Sequence, residues 1–212
     1  MGFLGLKRPA TGNRMLALTV FGVIAASVYW GVNASYREDR FQAVDITGIH
    51  HLGSAFNIDR FYVDGYDASN VGRGGGGGSN VCCVLLPKKW RPNLTIDLRW
   101  SVGDWSEENA AETEQGNYRS LSSAGVYRAR VAVEKYEHAE HLFVHFFPNG
   151  KARVVSSLVG RGNPKHPIQE DDPHAADTAT AGTSVDELFT PAERAENLRR
   201  AASDRKQHGD WR

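Results

Sequence analysis

The sequence predicts a mainly β protein: an antiparallel sandwich or small open barrel, preceded by one transmembrane helix and followed by a linker and a short C-terminal helix. Three observations lead to this prediction. Residues 15–34 are apolar and carry no charged side chain. Residues 35–160 contain short runs of β-branched and aromatic residues separated by polar turns, which is typical of strands. Beyond Gly160, small, acidic, proline and glycine residues replace the apolar runs.

The apolar N-terminal segment is long enough to cross a membrane. As a helix, the 20 residues from Met15 to Ala34 span about 30 Å, the thickness of the hydrocarbon core. Three basic residues and no acidic residue precede it, so the positive-inside rule places residues 1–14 in the cytoplasm and the rest across the membrane. A signal peptide cleaved after Val32-Asn33-Ala34 and a buried helix of a soluble protein are the alternatives.

The central region contains the predicted strands. The run Val81–Pro87 is continuously apolar, which predicts a strand buried on both faces. Leu94–Trp100 alternates between apolar and polar residues, which predicts one buried and one exposed face. Pro148-Asn149-Gly150 predicts the turn of a hairpin, and residues 106–115 are compatible with a short helix. The predicted strands are Ala43–Leu52, Arg60–Tyr66, Val81–Pro87, Leu94–Trp100, Val126–Tyr136, His141–Phe147 and Lys151–Val159.

The C-terminal part has little to bury. Residues 161–183 are expected to form a flexible or loosely docked linker, because they contain almost no large apolar side chains. In the tail, residues 184–212, two sequences that begin at Ser184 and Thr190 have the spacing of a helix capping box. A short helix is predicted over Ala192–Gln207. Its apolar residues are mostly alanines, so we expect it to rest lightly on the domain or to become firm on a partner.

The composition excludes several classes of function. The formal net charge is zero, and no motif for nucleic-acid binding, hydrolysis or phosphoryl transfer is present. We therefore predict a protein that is not an enzyme and needs no cofactor or metal. A zinc-dependent hydrolase built on His138, His141 and His145 remains a hypothesis. It is disfavoured because only two of these histidines share a face of the predicted strand.

The two cysteines, Cys82 and Cys83, are adjacent, so the fold does not depend on a disulfide between distant segments. We expect them to be buried thiols, because free cysteine is among the most buried residue types. A vicinal disulfide is the alternative, since the space outside the cytoplasm permits oxidation.

Two sequence features are candidates for partner binding. A glycine run at residues 72–79, which we call the glycine loop, leads into a strand rather than a helix, which argues against a phosphate-binding loop. We interpret it as a flexible loop or as backbone that closely approaches another surface. Tryptophan and arginine, which are enriched at binding hot spots, lie at predicted strand ends nearby. The candidate partner-binding residues are Gly74, Gly75, Gly76, Trp90, Arg91 and Trp105.

Three motifs follow one another in the middle of the chain: Gly-Ile-His-His at 48–51, an aromatic segment at 61–66, and Cys-Cys-Val-Leu-Leu-Pro-Lys-Lys-Trp-Arg-Pro at 82–92. Together they resemble a bacterial family of formerly unknown function whose members are encoded beside type VI secretion lipase effectors. Asn93 stands where the family pattern has glycine, which concerns one turn. The residues that carry the resemblance most specifically are Cys82, Cys83, Pro87, Trp90, Arg91 and Pro92.

The resemblance implies a membrane-anchored immunity protein that binds and inhibits a phospholipase effector. Its anchor would lie in the inner membrane and its C-terminal domain in the periplasm, where such an effector acts. The resemblance implies a protein partner and supplies no catalytic residues. An envelope module that binds glycan or lipid through its tryptophans is the alternative function.

Overall fold

The computed structural model describes residues 40–78, 80–118 and 121–208. From Ala43 onward these residues belong to one compact unit. The predicted transmembrane helix, residues 15–34, lies outside the described ranges. Inside them, no helix combines the length and apolarity that crossing a bilayer requires.

The described residues form two five-stranded sheets rather than a closed barrel. Sheet 1 has the strand order β4-β1-β7-β8-β9, and sheet 2 has the order β10-β6-β5-β2-β3. The strands are β1 (Phe41–His50), β2 (Phe56–Val63), β3 (Tyr66–Asp67), β4 (Val81–Pro87), β5 (Thr95–Asp104), β6 (Ser122–Ala132), β7 (His141–Phe147), β8 (Lys151–Ser157), β9 (Thr180–Ala181) and β10 (Thr183–Ser184).

The strand directions differ from the prediction in one place. All four strand pairings in sheet 2 are antiparallel, as predicted, and so are β7 with β8 and β8 with β9. In contrast, β1 and β7 run parallel, with Ile46 opposite Leu142 and His50 opposite Phe146. A purely antiparallel fold was therefore the wrong prediction. Because β1 and β7 are parallel, their carboxyl ends meet at the same end of sheet 1.

The main core lies between the two sheets. Every second residue of β5 points into it, and Ile96, Leu98 and Trp100 are buried there, which confirms the alternation seen in the sequence. The Trp100 ring stacks on Tyr127 and lies against Phe146 of the opposite sheet. The hairpin between β7 and β8 is also confirmed.

Strand β4 has the predicted bounds but a different environment. It is an edge strand of sheet 1 and not a strand buried on both faces. Val84 and Leu86 face the core, whereas Leu85 is 68% exposed and Cys82 is exposed. A continuous apolar run does not distinguish an edge strand from a central one, because hydrogen-bonding neighbours are invisible in the pattern.

The segment expected to be a linker packs on the outer face of sheet 1. Residues 159–179, which we call the cover segment, bury Ile168 and Ala175. These two side chains form a second apolar cluster with Phe143, Val155 and other residues of sheet 1. A flexible or loosely docked segment was predicted because this part of the sequence has few large apolar residues. Two buried apolar side chains are enough to attach it, because the outer face of sheet 1 supplies the other members of the apolar cluster.

Two helices follow the predicted positions. Helix α1 (Ala110–Glu114) lies in the expected 106–115 region and is capped by Asn109. Helix α2 (Pro191–His208) begins with the predicted capping box: Thr190 N–H donates to Glu193, and Glu193 N–H donates to the Thr190 hydroxyl. The capping-box spacing at Ser184 was misleading, because Ser184 lies in β10 and no helix follows it.

Candidate functional site

The glycine loop is fixed by backbone hydrogen bonds at the carboxyl end of β1. His50 N–H donates to the Gly75 carbonyl at 2.9 Å, and Gly77 N–H donates to the Gly48 carbonyl at 3.0 Å. Gly76 has a φ of +81°, and a Cβ there would overlap the Gly48 carbonyl oxygen. The interpretation of closely approaching backbone is therefore confirmed, and only glycine satisfies it.

Arg161 of the cover segment clamps this loop from outside. Its guanidinium donates to the carbonyls of Gly74 and Gly76, at 3.0 and 3.1 Å, and it forms an ion pair with Glu170. The hydrogen bond from Arg161 lowers the pKa of Glu170 below its ordinary value. Gly75 lies so close to the same guanidinium that a side chain at this position would displace it. The loop conformation and the cover segment therefore depend on each other.

Trp105 lies beside the glycine loop. Its indole N–H donates to the Asn57 side chain at 2.8 Å, and the Arg73 guanidinium lies over its ring at 5.2 Å from the centroid. Arg73 also donates to the Ser54 carbonyl at 2.8 Å and to Glu108 at 2.6 Å. Glycine loop, Arg73 and Trp105 thus form one continuous surface, which we call the glycine-loop end. The sequence analysis did not single out Arg73.

Trp90 and Arg91 lie at the opposite end of the fold. They precede β5, whereas Trp105 follows it, and a strand of 10 residues separates the two positions. Such a strand spans about 30 Å. The Trp90 indole N–H donates to the Val133 carbonyl at 2.8 Å, and the ring packs against the main core. The six candidate partner-binding residues therefore fall into two groups that no single small contact covers.

The distinctive motif builds the connection from β4 to β5. The buried Pro87 accepts a hydrogen bond from the Tyr136 hydroxyl through its carbonyl, at 2.7 Å. Leu94 N–H closes a turn onto the Arg91 carbonyl at 3.3 Å, with Pro92 at its second position. Asn93 occupies the third position with a φ of +64°. A type II turn requires a positive φ at this position, and asparagine is the residue that adopts it most readily apart from glycine. The departure from glycine therefore keeps the turn.

Cys82 and Cys83 form a vicinal disulfide across a cis peptide bond. The expectation of buried thiols is thus wrong, and the alternative is confirmed. The pair is not buried in the core because it lies on an edge strand, where Cys82 is exposed.

The histidines named by the sequence do not converge. His138 is exposed, and His141 pairs with Asp45 on the outer face of sheet 1. His145 is buried instead in a chain of three imidazoles, with His51 at 2.9 Å from its Nδ1 and His166 at 3.0 Å from its Nε2. This histidine chain links β1, β7 and the cover segment. Sequence spacing could not find it, because the three residues lie far apart along the chain.

The hydrogen bonds determine the tautomer of each ring in the histidine chain. The Val159 carbonyl, which can only accept, lies 2.8 Å from His166 Nδ1, so that nitrogen carries the proton. His166 Nε2 must then accept from His145 Nε2–H, and His145 Nδ1 must accept from His51 Nε2–H. Each N–H of the chain thus points from His51 toward Val159. Of the six ring nitrogens, only His51 Nδ1 has no hydrogen-bond partner among the described residues.

Burial favours the neutral form of His145 and His51. It lowers the pKa of His145 well below the ordinary value. Burial and, second, the charge of Arg161 lower the pKa of His51 to about 4. Among the described residues, no group of three histidine, cysteine, aspartate or glutamate side chains is arranged to hold a metal ion. His145 already uses both ring nitrogens in hydrogen bonds, so the chain does not present a common metal position.

One family model matches the chain. Residues 53–154, a little under half of its length, match a family described as a protein of unknown function, DUF3304. The matched range includes the glycine loop, the motif at 82–92 and Trp105, but not His51 or the cover segment. The description names no function, secretion system or lipase. Neither the curated proteins nor the solved structures contain a match. The comparison therefore relates the central part of the chain to this family.

Proposed function

We propose that this protein is an immunity protein, anchored in the inner membrane, whose periplasmic domain binds and inhibits a type VI secretion phospholipase effector. The resemblance of the 48–51, 61–66 and 82–92 motifs supplies the class of partner. The observation that carries the binding role is the glycine-loop end, where an exposed loop is held rigidly against the sheet.

A rigid exposed loop is suited to inhibition. Four carbonyl contacts hold residues 74–77 before any partner arrives, so little conformational entropy is lost on binding. Arg73 and Trp105 stand beside the loop, and these residue types dominate binding hot spots. The surface combines a cation, a partly exposed indole and backbone groups, which is adequate for covering an enzyme's active site or holding its lid.

The N-terminal segment supports the proposed location. A phospholipase effector attacks membrane lipids, and an apolar stretch of the length of Met15–Ala34 would hold the inhibitor at the same surface. Tethering raises the local concentration of the inhibitor without any additional contact.

The test searches the genes beside this one for a lipase and measures binding between that lipase and the full-length chain by calorimetry in detergent micelles. Arg73→Ala and Trp105→Ala are expected to weaken binding by about tenfold or more. Arg130→Ala is the matched control, because Arg130 is exposed and lies opposite Asp97, near the other end of β5, and it is expected to change affinity less than about twofold. Absence of a complex at about 10 µM, with both proteins folded, would refute the immunity function.

The alternative is an envelope module that binds glycan or lipid. Trp105 meets Tyr118 edge to face, and Tyr118 is 56% exposed, so the glycine-loop end also presents an aromatic platform. Pull-down of the chain by isolated peptidoglycan, or by liposomes in a manner that Trp105→Ala abolishes, would favour this function over the first.

A further inference from the structure

One sheet edge of this protein differs from the other three. The two sheets have four edges, and in the described residues three of them are formed by the two-residue strands β3, β9 and β10. The fourth is β4, with seven residues. Proteins usually keep edge strands short because unpaired backbone N–H and C=O groups recruit further strands. Strand β4 is therefore the longest of the four edge strands and a place where strand addition is geometrically available.

No charged side chain of β4 opposes such pairing. The strand contains no charged residue, and its one proline is its last residue. Leu85, near its middle, is 68% exposed. Strand β10, in contrast, pairs with only two residues of β6, and the uncovered part of β6 carries the exposed Arg130. Charges of this kind protect an edge, and β4 lacks them.

We infer that β4 pairs with the β4 strand of a second copy of this chain. Pairing of identical strands around a two-fold axis needs no complementary sequence, and β4 has no charges that would repel each other across the axis. The two Leu85 side chains lie close to the axis and become covered. Pairing of two sheets in this way gives one continuous sheet of ten strands.

The charges beyond the strand determine its direction. Lys88 and Lys89 follow β4 at one end only. In an antiparallel pair the two lysine pairs lie at opposite ends of the ladder, whereas in a parallel pair they would lie side by side and repel. The antiparallel arrangement is also the one that a two-fold axis perpendicular to the strands produces.

A seven-residue ladder is a small interface. Stable interfaces bury about 1,200–2,000 Å², and one strand pair with two leucines supplies less. The association is therefore weak in solution and is strengthened where copies are concentrated together, as on a membrane. This inference is independent of the identity of any lipase.

The test uses the full-length chain in detergent micelles, with its mass followed by sedimentation up to about 100 µM. A reversible dimer is expected. Leu85→Lys places a charge at the middle of the edge and is expected to weaken the dimer by about tenfold or more. The matched control is Leu158→Lys, because Leu158 is 71% exposed and lies outside β4. The control is expected to leave the dimer unchanged.

A photo-crosslinking amino acid at position 85 provides a second readout that does not depend on the lysine variant. An adduct between two copies, absent when the crosslinker replaces Leu158, supports the inference. A monomer over the whole concentration range, a dimer that Leu85→Lys leaves intact, or adducts only with a different protein would each overturn it.

Discussion

The outer faces of the two sheets are covered by different chemistry. On sheet 1 the cover segment buries Ile168 and Ala175 and is joined to the strands through the histidine chain. On sheet 2 helix α2 rests on charges, with the Arg99 guanidinium 2.9 Å from both Asp97 and Glu193. The first cover depends on burial, so removal of buried groups should damage it. The second depends on ion pairs near solvent, so salt and pH should control it.

The cover segment on sheet 1 is also packed more tightly than helix α2 on sheet 2. A cavity of about 570 Å³ remains between α2 and sheet 2, lined among others by Asp64, Arg99 and Phe189. Helix α2 also leaves Leu198 68% exposed. Under the cover segment, His145 and Ile168 are almost completely buried. Helix α2 is thus the more loosely attached of the two covers.

The largest effect is expected from His145→Ala. This change removes a buried ring and leaves His51 and His166 without their central partner, so the free energy of unfolding should fall by about 3 kcal/mol. His141→Ala on the same strand is the control, since 43% of the His141 side chain is exposed, and it should cost less than about 1 kcal/mol. Urea unfolding of both variants makes the measurement. Equal losses would mean that the histidine chain contributes nothing beyond an exposed histidine.

A smaller effect is expected from Gly76→Ala, which tests the loop next to the cover segment. The positive φ and the overlap of the new Cβ with the Gly48 carbonyl should lower the free energy of unfolding by about 2 kcal/mol. Gly78→Ala is the matched control, because nothing lies within 4 Å of a Cβ there. It should change stability by less than about 0.5 kcal/mol. If both alanines are tolerated alike, the loop is not held as described.

Loss of charge beneath α2 should have a still smaller, salt-dependent effect. Glu193→Gln is expected to lower stability by less than about 1 kcal/mol at low salt, and the difference should vanish near 1 M salt. Glu196→Gln, which affects the exposed pair with Arg199 on the same helix, is the control. A salt-independent loss would show that Glu193 acts through packing.

The same pair predicts how α2 responds to acid. The hydrogen bond from Arg99 lowers the pKa of Glu193 from 4.5 to about 2. The unfolded chain therefore takes up this proton first as the pH falls, so the contribution of Glu193 is complete above about pH 4.5 and is lost toward pH 2. Proteolysis of α2 should increase in that window, with Asp97 and Arg128 as the other charges facing the pair.

The smallest effect concerns protons alone. Nitrogen NMR at neutral pH should find His166 protonated at Nδ1 and both His51 and His145 protonated at Nε2. On acidification His51 should titrate near its pKa of about 4, at its unpartnered Nδ1. Because this pKa lies below the ordinary 6.5, neutral His51 stabilises the fold above that pH, and the contribution declines toward pH 4. The opposite tautomers would contradict the direction assigned to the chain.

Much of the local structure was predictable because it depends on neighbours in sequence. Alternation located the buried face of β5, Pro-Asn-Gly located the β7–β8 turn, and Thr190 with Glu193 located the start of α2. The failures concern pairings. Whether β4 lies at an edge and whether β1 runs parallel to β7 depend on partners far away in the chain.

The candidate site divides in the same way. Glycines, tryptophans and the motif at 82–92 were recognisable as sequence features. Their separation into two ends, the clamp by Arg161 and the joining of His51, His145 and His166 were not. Long-range contacts of this kind leave no periodic pattern in the sequence.

By itself, the amino-acid sequence determined which segments are extended or helical, because side-chain periodicity and capping act over a few residues. The tertiary structure alone decided which strand became an exposed edge, which histidines met and which segment covered each sheet. These outcomes depend on which apolar surfaces of the two sheets, the cover segment and helix α2 are buried against one another. Such contacts join residues that are distant in sequence and form only when the whole domain packs.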